Sequence, residues 1–150
     1  MRARTIISSQ PKQRSRSNDS DPLQRLKELR MANRVALDWN DESMARGLAC
    51  YQCGDFFEAH EHWEAIWLAA PEPDKTFLQS LIQVSAAFHH LGRGNSRGAA
   101  SLLLRSLARL EPYPAQYAGI DLKRLRGEMA AWIEAIAGNA GRPERPPLIL

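Results

Sequence analysis

The chain has 150 residues, is 44% apolar by composition and carries a formal charge of +3 at pH 7. That length predicts one domain with a core that needs no disulfide or metal staple, and no apolar run approaches the ~20 residues of a membrane-spanning helix. The charge is uneven: Arg2, Arg4, Lys12, Arg14 and Arg16 precede residue 18, and the remaining 15 basic and 17 acidic residues leave the folded part without the basic excess of a nucleic-acid binder.

Residues 1–20 read as a disordered basic leader. Met1 to Ser17 has the Arg- and Ser-rich composition of a transit peptide but little amphipathic periodicity, and no apolar core of a secretory signal is present. A cytoplasmic protein is the expectation. A helical domain is expected over 21–138 and an extended tail over 139–150. Asp21-Pro22 opens a helix near 22–37, with the acid as cap and proline in the first position. Leu23, Leu26 and Leu29 give it a weak apolar stripe, and Trp39-Asn40-Asp41 ends it. A second helix spans Glu42 to Cys53, with Met44, Leu48 and Tyr51 inward. Cys50 and Cys53 form a lone Cys-x-x-Cys near the end of that helix. No second pair exists for a four-thiolate zinc site, so a mixed site with His60 or His62 is the remaining metal option. The commoner role of such thiols is that of small buried apolar residues.

Gly54-Asp55 is a turn signal before a strong helical pattern, with Asp55 as cap. The helix should run to Ala69 or Ala70, because Pro71-Glu72-Pro73 cannot continue it. At about 100° per residue, Phe56, Trp63 and Trp67 share one face, flanked by Phe57 and Leu68 on one side and Ala59 and Ile66 on the other. His60 and Glu64, one turn apart, fall within that apolar face, while Glu58 and His62 point away and Glu61 sits at the border. A carboxylate placed among tryptophans needs a partner, and His60 is within reach at i,i+4.

The next helix runs from Asp74 or Lys75 to about Leu91. Phe77, Leu81, Val84 and Phe88 form its main apolar face, widened by Leu78, Ile82 and Leu91, with His89 on the flank. It is apolar over most of its circumference, which predicts a central position, and Gln79 and Gln83 then require hydrogen-bond partners. Gly92-Arg93-Gly94-Asn95-Ser96 is a turn with a cap, not a phosphate loop, since it follows a helix rather than a strand. The helix it opens reaches Leu110. After a loop containing Tyr113 and Tyr117, Asp121 caps a last helix to about Ala137, stopped by Gly138. Leu148-Ile149-Leu150 is expected to dock on the core. No strand pattern is evident. The fold class is all-α: a single-domain bundle of five or six helices built on antiparallel hairpins.

Two resemblances follow from these residues. Gly47, Tyr51, Gly54-Asp55-Phe56, Ala59, Trp63 and Pro71 are similar to one tetratricopeptide repeat. About 34 residues on, Leu81, Ser85, Phe88 and Arg93 replace the signature, so one helical hairpin is implied and not an array. Over about 44–137 the chain resembles the uncharacterised family named domain of unknown function 309. The likeness rests on His60, Glu64 and Trp67 as His-x-x-x-Glu-x-x-Trp, on Phe77 to Ile82 with Ala87 to His89, and on Arg93-Gly94-Asn95, Gly98-Ala99, Tyr113-Pro114 and Gly119 to Asp121. That resemblance implies an all-α bundle and a residue set, and no reaction.

Two functions from different classes fit. The first is a ligand or metal pocket around the His–Glu pair, lined by His60, Glu61, Glu64, Trp67, Gln79, Gln83 and His89. A divalent first-row ion would take His60, Glu64 and His89. Mirror pairing across an antiparallel hairpin sets Trp63 near Leu81 and His60 near Val84. His89 then lies about five residues from His60 along the axis, about 7 Å at the helical rise. The second is a non-catalytic binding or scaffold module, with the pair as an internal clamp and a protein partner or self-association using the outer helix faces. No nucleophile with an adjacent base stands out, so the sequence names no enzyme activity.

Overall fold

The computed structural model describes residues 22–23 and 37–150. The basic leader and nearly all of the helix expected at 22–37 lie outside them. The described helices are α1 (Glu42–Gln52), α2 (Phe56–Trp67), α3 (Asp74–Gly92), α4 (Ser96–Leu110) and α5 (Leu122–Ile136), with two short strands, β1 (Gln116–Tyr117) and β2 (Ile120–Asp121), between α4 and α5. The all-α class holds. Four helices begin at a side-chain cap that satisfies amides with no partner inside the helix. Asp41 accepts from the Ser43 and Met44 amides, Asp55 from Glu58, Asn95 from Gly98 and Asp121 from Arg124.

The helices pack in sequence order, with α3 between α2 and α4. A middle helix must be apolar on most sides, and α3 buries Phe77, Leu78, Leu81, Ile82, Val84, Ala87 and Phe88 together with Ser80, Gln83 and Ser85. One of them is tied to a neighbour: the Ser106 hydroxyl of α4 donates to the Ser80 carbonyl at 3.0 Å. At the other side of the core, α1 and α2 meet where Gly47 lies under Trp63, whose indole donates to the Met44 carbonyl at 3.4 Å.

Two expectations need correction. The helix expected to reach Ala69 or Ala70 ends at Trp67, and the chain turns there through bonds from Ala70 N–H to the Ile66 and Trp67 carbonyls. The structure also contains an antiparallel two-stranded ladder pairing Gln116 with Asp121 and Tyr117 with Ile120. Two residues per strand are too few for an alternating pattern to show. Ala118 and Gly119 both have positive φ, 49° and 77°, the backbone of a tight hairpin turn whose twist matches its strands.

Beyond α5 the chain forms no helix or strand and is held along its length. The Trp132 indole donates to the Arg145 carbonyl at 3.1 Å, the Tyr51 hydroxyl to the Pro147 carbonyl at 2.8 Å, and the Leu148 amide to Glu128 at 2.6 Å, while Ile149 enters the core. Burial, reinforced by the Glu128 carboxylate, pushes the Tyr51 phenol far above its ordinary range. In the unfolded chain the same phenol ionises near pH 10. Its contribution to stability is therefore complete below about pH 10 and falls above it, because only the unfolded chain releases the proton there. Urea melts between pH 9 and 11 should show stability dropping above pH 10, with a shallower drop in Tyr51→Phe. Equal slopes in both proteins would contradict this assignment.

Candidate functional site

The expected centre is α2, and the structure sets its orientation. Ala59 and Trp63 are the residues fully enclosed on this helix. Phe56, Ile66 and Trp67 pack against the core at its edge. With Ala59 and Trp63, the buried stripe is therefore turned by about 30° from the face shared by Phe56, Trp63 and Trp67, toward Ala59 and Ile66. That rotation brings His60 and Glu64 to the border of the core instead of its interior. Their side chains are 25% and 46% exposed, and that of Glu61 is 51% exposed. The small Ala59 lets a neighbouring helix approach closely, whereas the large Trp67 ring packs only at the core's edge.

At this border the three side chains converge. His60 Nδ1 lies 3.1 Å from Glu61 Oε1, and His60 Nε2 lies 3.7 Å from Glu64 Oε2. The 3.1 Å contact is poorly angled, so Nδ1 is shut off from solvent with no hydrogen-bond partner. A sheltered polar atom without a partner is uncommon and needs a cause, such as an ion or water. One donor from each of His60, Glu61 and Glu64 lies within 4.8 Å of the other two, and this is the group of metal-type donors that the described residues bring together. The two carboxylates beside His60 give the cluster a local preference for a cation.

His89, expected in the metal set, is not in this cluster. Its ring packs on Phe57 with centroids 5.5 Å apart, and Phe57 also lies 6.0 Å from the His60 ring. Phe57 is 50% exposed and is the apolar link between the two imidazoles. Gln83 is buried with its Oε1 unpartnered. Trp67 and Gln79 line a separate notch of about 260 Å³ with Glu72, Lys75, Thr76 and Arg109. The expected seven-residue pocket is thus divided: His60, Glu61 and Glu64 together, Trp67 and Gln79 at the notch, Gln83 buried, and His89 against Phe57. Glu61, expected at the border of the helix face and in the pocket, lies with its Oε1 3.1 Å from His60 Nδ1, although neighbours at i,i+1 do not ordinarily face each other on a helix.

Cys50 and Cys53 are free thiols and contribute nothing to the cluster. Partial burial, then the Asp55 carboxylate, pushes the Cys50 thiol up, which disfavours the thiolate needed for nucleophilic or metal chemistry. Among the described residues no helix is long and apolar enough to cross a membrane.

Comparison with known proteins agrees with the expected resemblance. Residues 44–102 match the model of the family described as "Domain of unknown function (DUF309)". That span contains His60, Glu61, Glu64 and Trp67; the features noted from Tyr113 to Asp121 lie beyond it. An uncharacterized protein of Aquifex aeolicus (strain VF5) is 31% identical over 90 residues, which is 59% of this chain and 26% of that relative. The matched part of this chain thus spans about a quarter of the relative's length.

Proposed function

We propose that this helical protein binds a divalent first-row metal ion through His60, Glu61 and Glu64, at a recess on the outer border of α2 and not in an internal cavity. One observation carries the reading: an imidazole whose Nδ1 is sheltered from water and without a hydrogen-bond partner belongs to a group in which one donor atom from each of His60, Glu61 and Glu64 lies within 4.8 Å of the other two. One imidazole and two carboxylates suit zinc or a similar ion, at bond lengths of about 2.0–2.2 Å. Both glutamates are half exposed, so their rotamers are free to close on an ion. Three protein ligands at a surface also leave a coordination position open to water or a small ligand. Among the described residues no hydroxyl or thiol nucleophile is placed in the cluster, and binding is the function the geometry supports best. A cytoplasmic location agrees with the two free thiols.

The second reading is a binding module with the pair as a clamp internal to α2. It draws on Phe57 and Leu68, large apolar side chains left exposed on and just after that helix, which would suit a partner helix. The Gly47–Trp63 approach supports a tetratricopeptide-like hairpin in the same spirit.

Thermal melts with and without zinc or cobalt separate the two. Metal at about 100 times its dissociation constant adds about 2.7 kcal/mol, which for a domain of this size is a rise of about 5–10 °C in Tm. His60→Ala should abolish that rise and leave the metal-free Tm nearly unchanged. If metal has no effect and His60→Ala and Glu64→Ala each lower the metal-free Tm, the pair is a clamp.

A further inference from the structure

The notch near the end of α2 has a different chemistry from the histidine cluster and rests on separate observations. It is built by Trp67 from α2, by Lys75, Thr76 and Gln79 from the first turns of α3, by Arg109 from the last turn of α4, and by Glu72 from the loop before α3. Its lining carries two cations, Lys75 and Arg109, against one carboxylate, Glu72, whereas two carboxylates flank His60. The one carboxylate in the notch is already engaged: Glu72 accepts from the Thr76 amide at 3.1 Å and from the Thr76 hydroxyl at 2.8 Å. The cations are not so engaged. Lys75 Nζ stands 4.9 Å from the centre of the Trp67 ring, and among the described residues no hydrogen bond or ion pair holds the Arg109 guanidinium or the Gln79 amide.

We propose that this notch is a subsite for the oxyanion head, phosphate or carboxylate, of a small organic ligand. Two cationic groups and an amide donor converge there while the acceptor is occupied, so the free capacity is for an acceptor-rich anion. The Arg109 guanidinium offers a planar fork that matches such a group with two parallel hydrogen bonds. The volume of about 260 Å³ lies below the range of about 300–1,000 Å³ for sites that enclose a whole small molecule. It therefore takes a head group, with the flat Trp67 wall against the atoms next to it. Helix-end placement of Arg109 and the cation–π contact of Lys75 would also account for these residues with no ligand, and the experiment distinguishes the two.

Amide and indole NMR spectra of the full chain are recorded during titration with inorganic phosphate, phenyl phosphate and acetate, and with sodium chloride at matched ionic strength. The Trp67 indole and Gln79 side-chain amide signals should move saturably with at least one of the oxyanions, and not with chloride. Arg109→Gln should weaken that affinity by about tenfold or more and Lys75→Gln by severalfold, with the rest of each spectrum unchanged because both side chains lie at the surface. His60→Ala should leave the affinity as it was, so this result is independent of any metal at α2. Equal affinity in Arg109→Gln, or shifts that chloride reproduces, would overturn the assignment.

Discussion

Trp63→Ala is expected to lower the unfolding free energy by about 3–5 kcal/mol, the cost of emptying a fully enclosed aromatic site. Domains of this size hold only about 5–15 kcal/mol in total, so the variant should be close to its unfolding threshold. The ring is fully enclosed, packs on Tyr51 with centroids 6.0 Å apart and is fixed through its indole nitrogen to α1. The position opposite is equally specific. A Cβ on Gly47 would come within 2.3 Å of the indole nitrogen and 2.6 Å of Cδ1, so α1 or the fully enclosed ring would have to shift. Gly47→Ala should therefore cost about 1–3 kcal/mol through overpacking, even though alanine gains about 1 kcal/mol over glycine in helix propensity. In a Trp63→Phe background the smaller ring removes the conflict, and the same Gly47→Ala change should be neutral or stabilising. Urea denaturation of the four proteins measures the coupling; additive effects would contradict the packing described.

The second large effect is expected at Tyr117→Phe. Asp74 opens α3, yet it is only 3% exposed, and the Tyr117 hydroxyl donates to its Oδ1 at 2.5 Å. Removing that hydroxyl leaves a buried carboxylate short of a donor, at a cost of about 1–3 kcal/mol and toward the upper end because the acceptor is charged. The α3 N-terminus offsets part of this, since its dipole favours a negative charge. Tyr117 belongs to the small hairpin, and neighbouring Tyr113 donates to the Pro73 carbonyl at 2.6 Å. The hairpin thus anchors the start of the middle helix. In Asp74→Asn the gain from Tyr117 should fall, so the double variant should cost less than the two single changes added together. A Tyr117→Phe protein as stable as the parent would show that the bond contributes nothing net.

Much of this architecture is local and was readable. Asp55 and Asp121 read as caps before periodic apolar runs, and each starts a helix as expected. Between Asn95 and Ser96, Asn95 proves to be the cap, and the helix expected from Glu42 starts there with Asp41 as its cap. The apolar circumference of α3 gave its central position. What failed depended on packing between elements. The orientation of α2 differs from the expected one because Ala59 and Ile66 turn toward the core as well as the aromatic residues, which leaves His60 and Glu64 at the border. His89 was assigned to their site from axial register, but register does not fix which way a side chain faces, and Phe57 lies against both rings. The meeting of Trp67 and Gln79 with Arg109 joins three helices and depends on how α3 and α4 pair, which no local pattern reports. The burial of Asp74 is of the same kind: its place at a helix start was plain, its tyrosine partner 43 residues away was not.

The central claim is that His60, Glu61 and Glu64 hold a cation together. Crystals grown with zinc and measured at the zinc absorption edge test it most directly. The account predicts one anomalous peak at about 2.0–2.2 Å from a ring nitrogen of His60 and from carboxylate oxygens of Glu61 and Glu64. A map with no peak there, or with its peak at Cys50 and Cys53 or at His89 and His90, would contradict it.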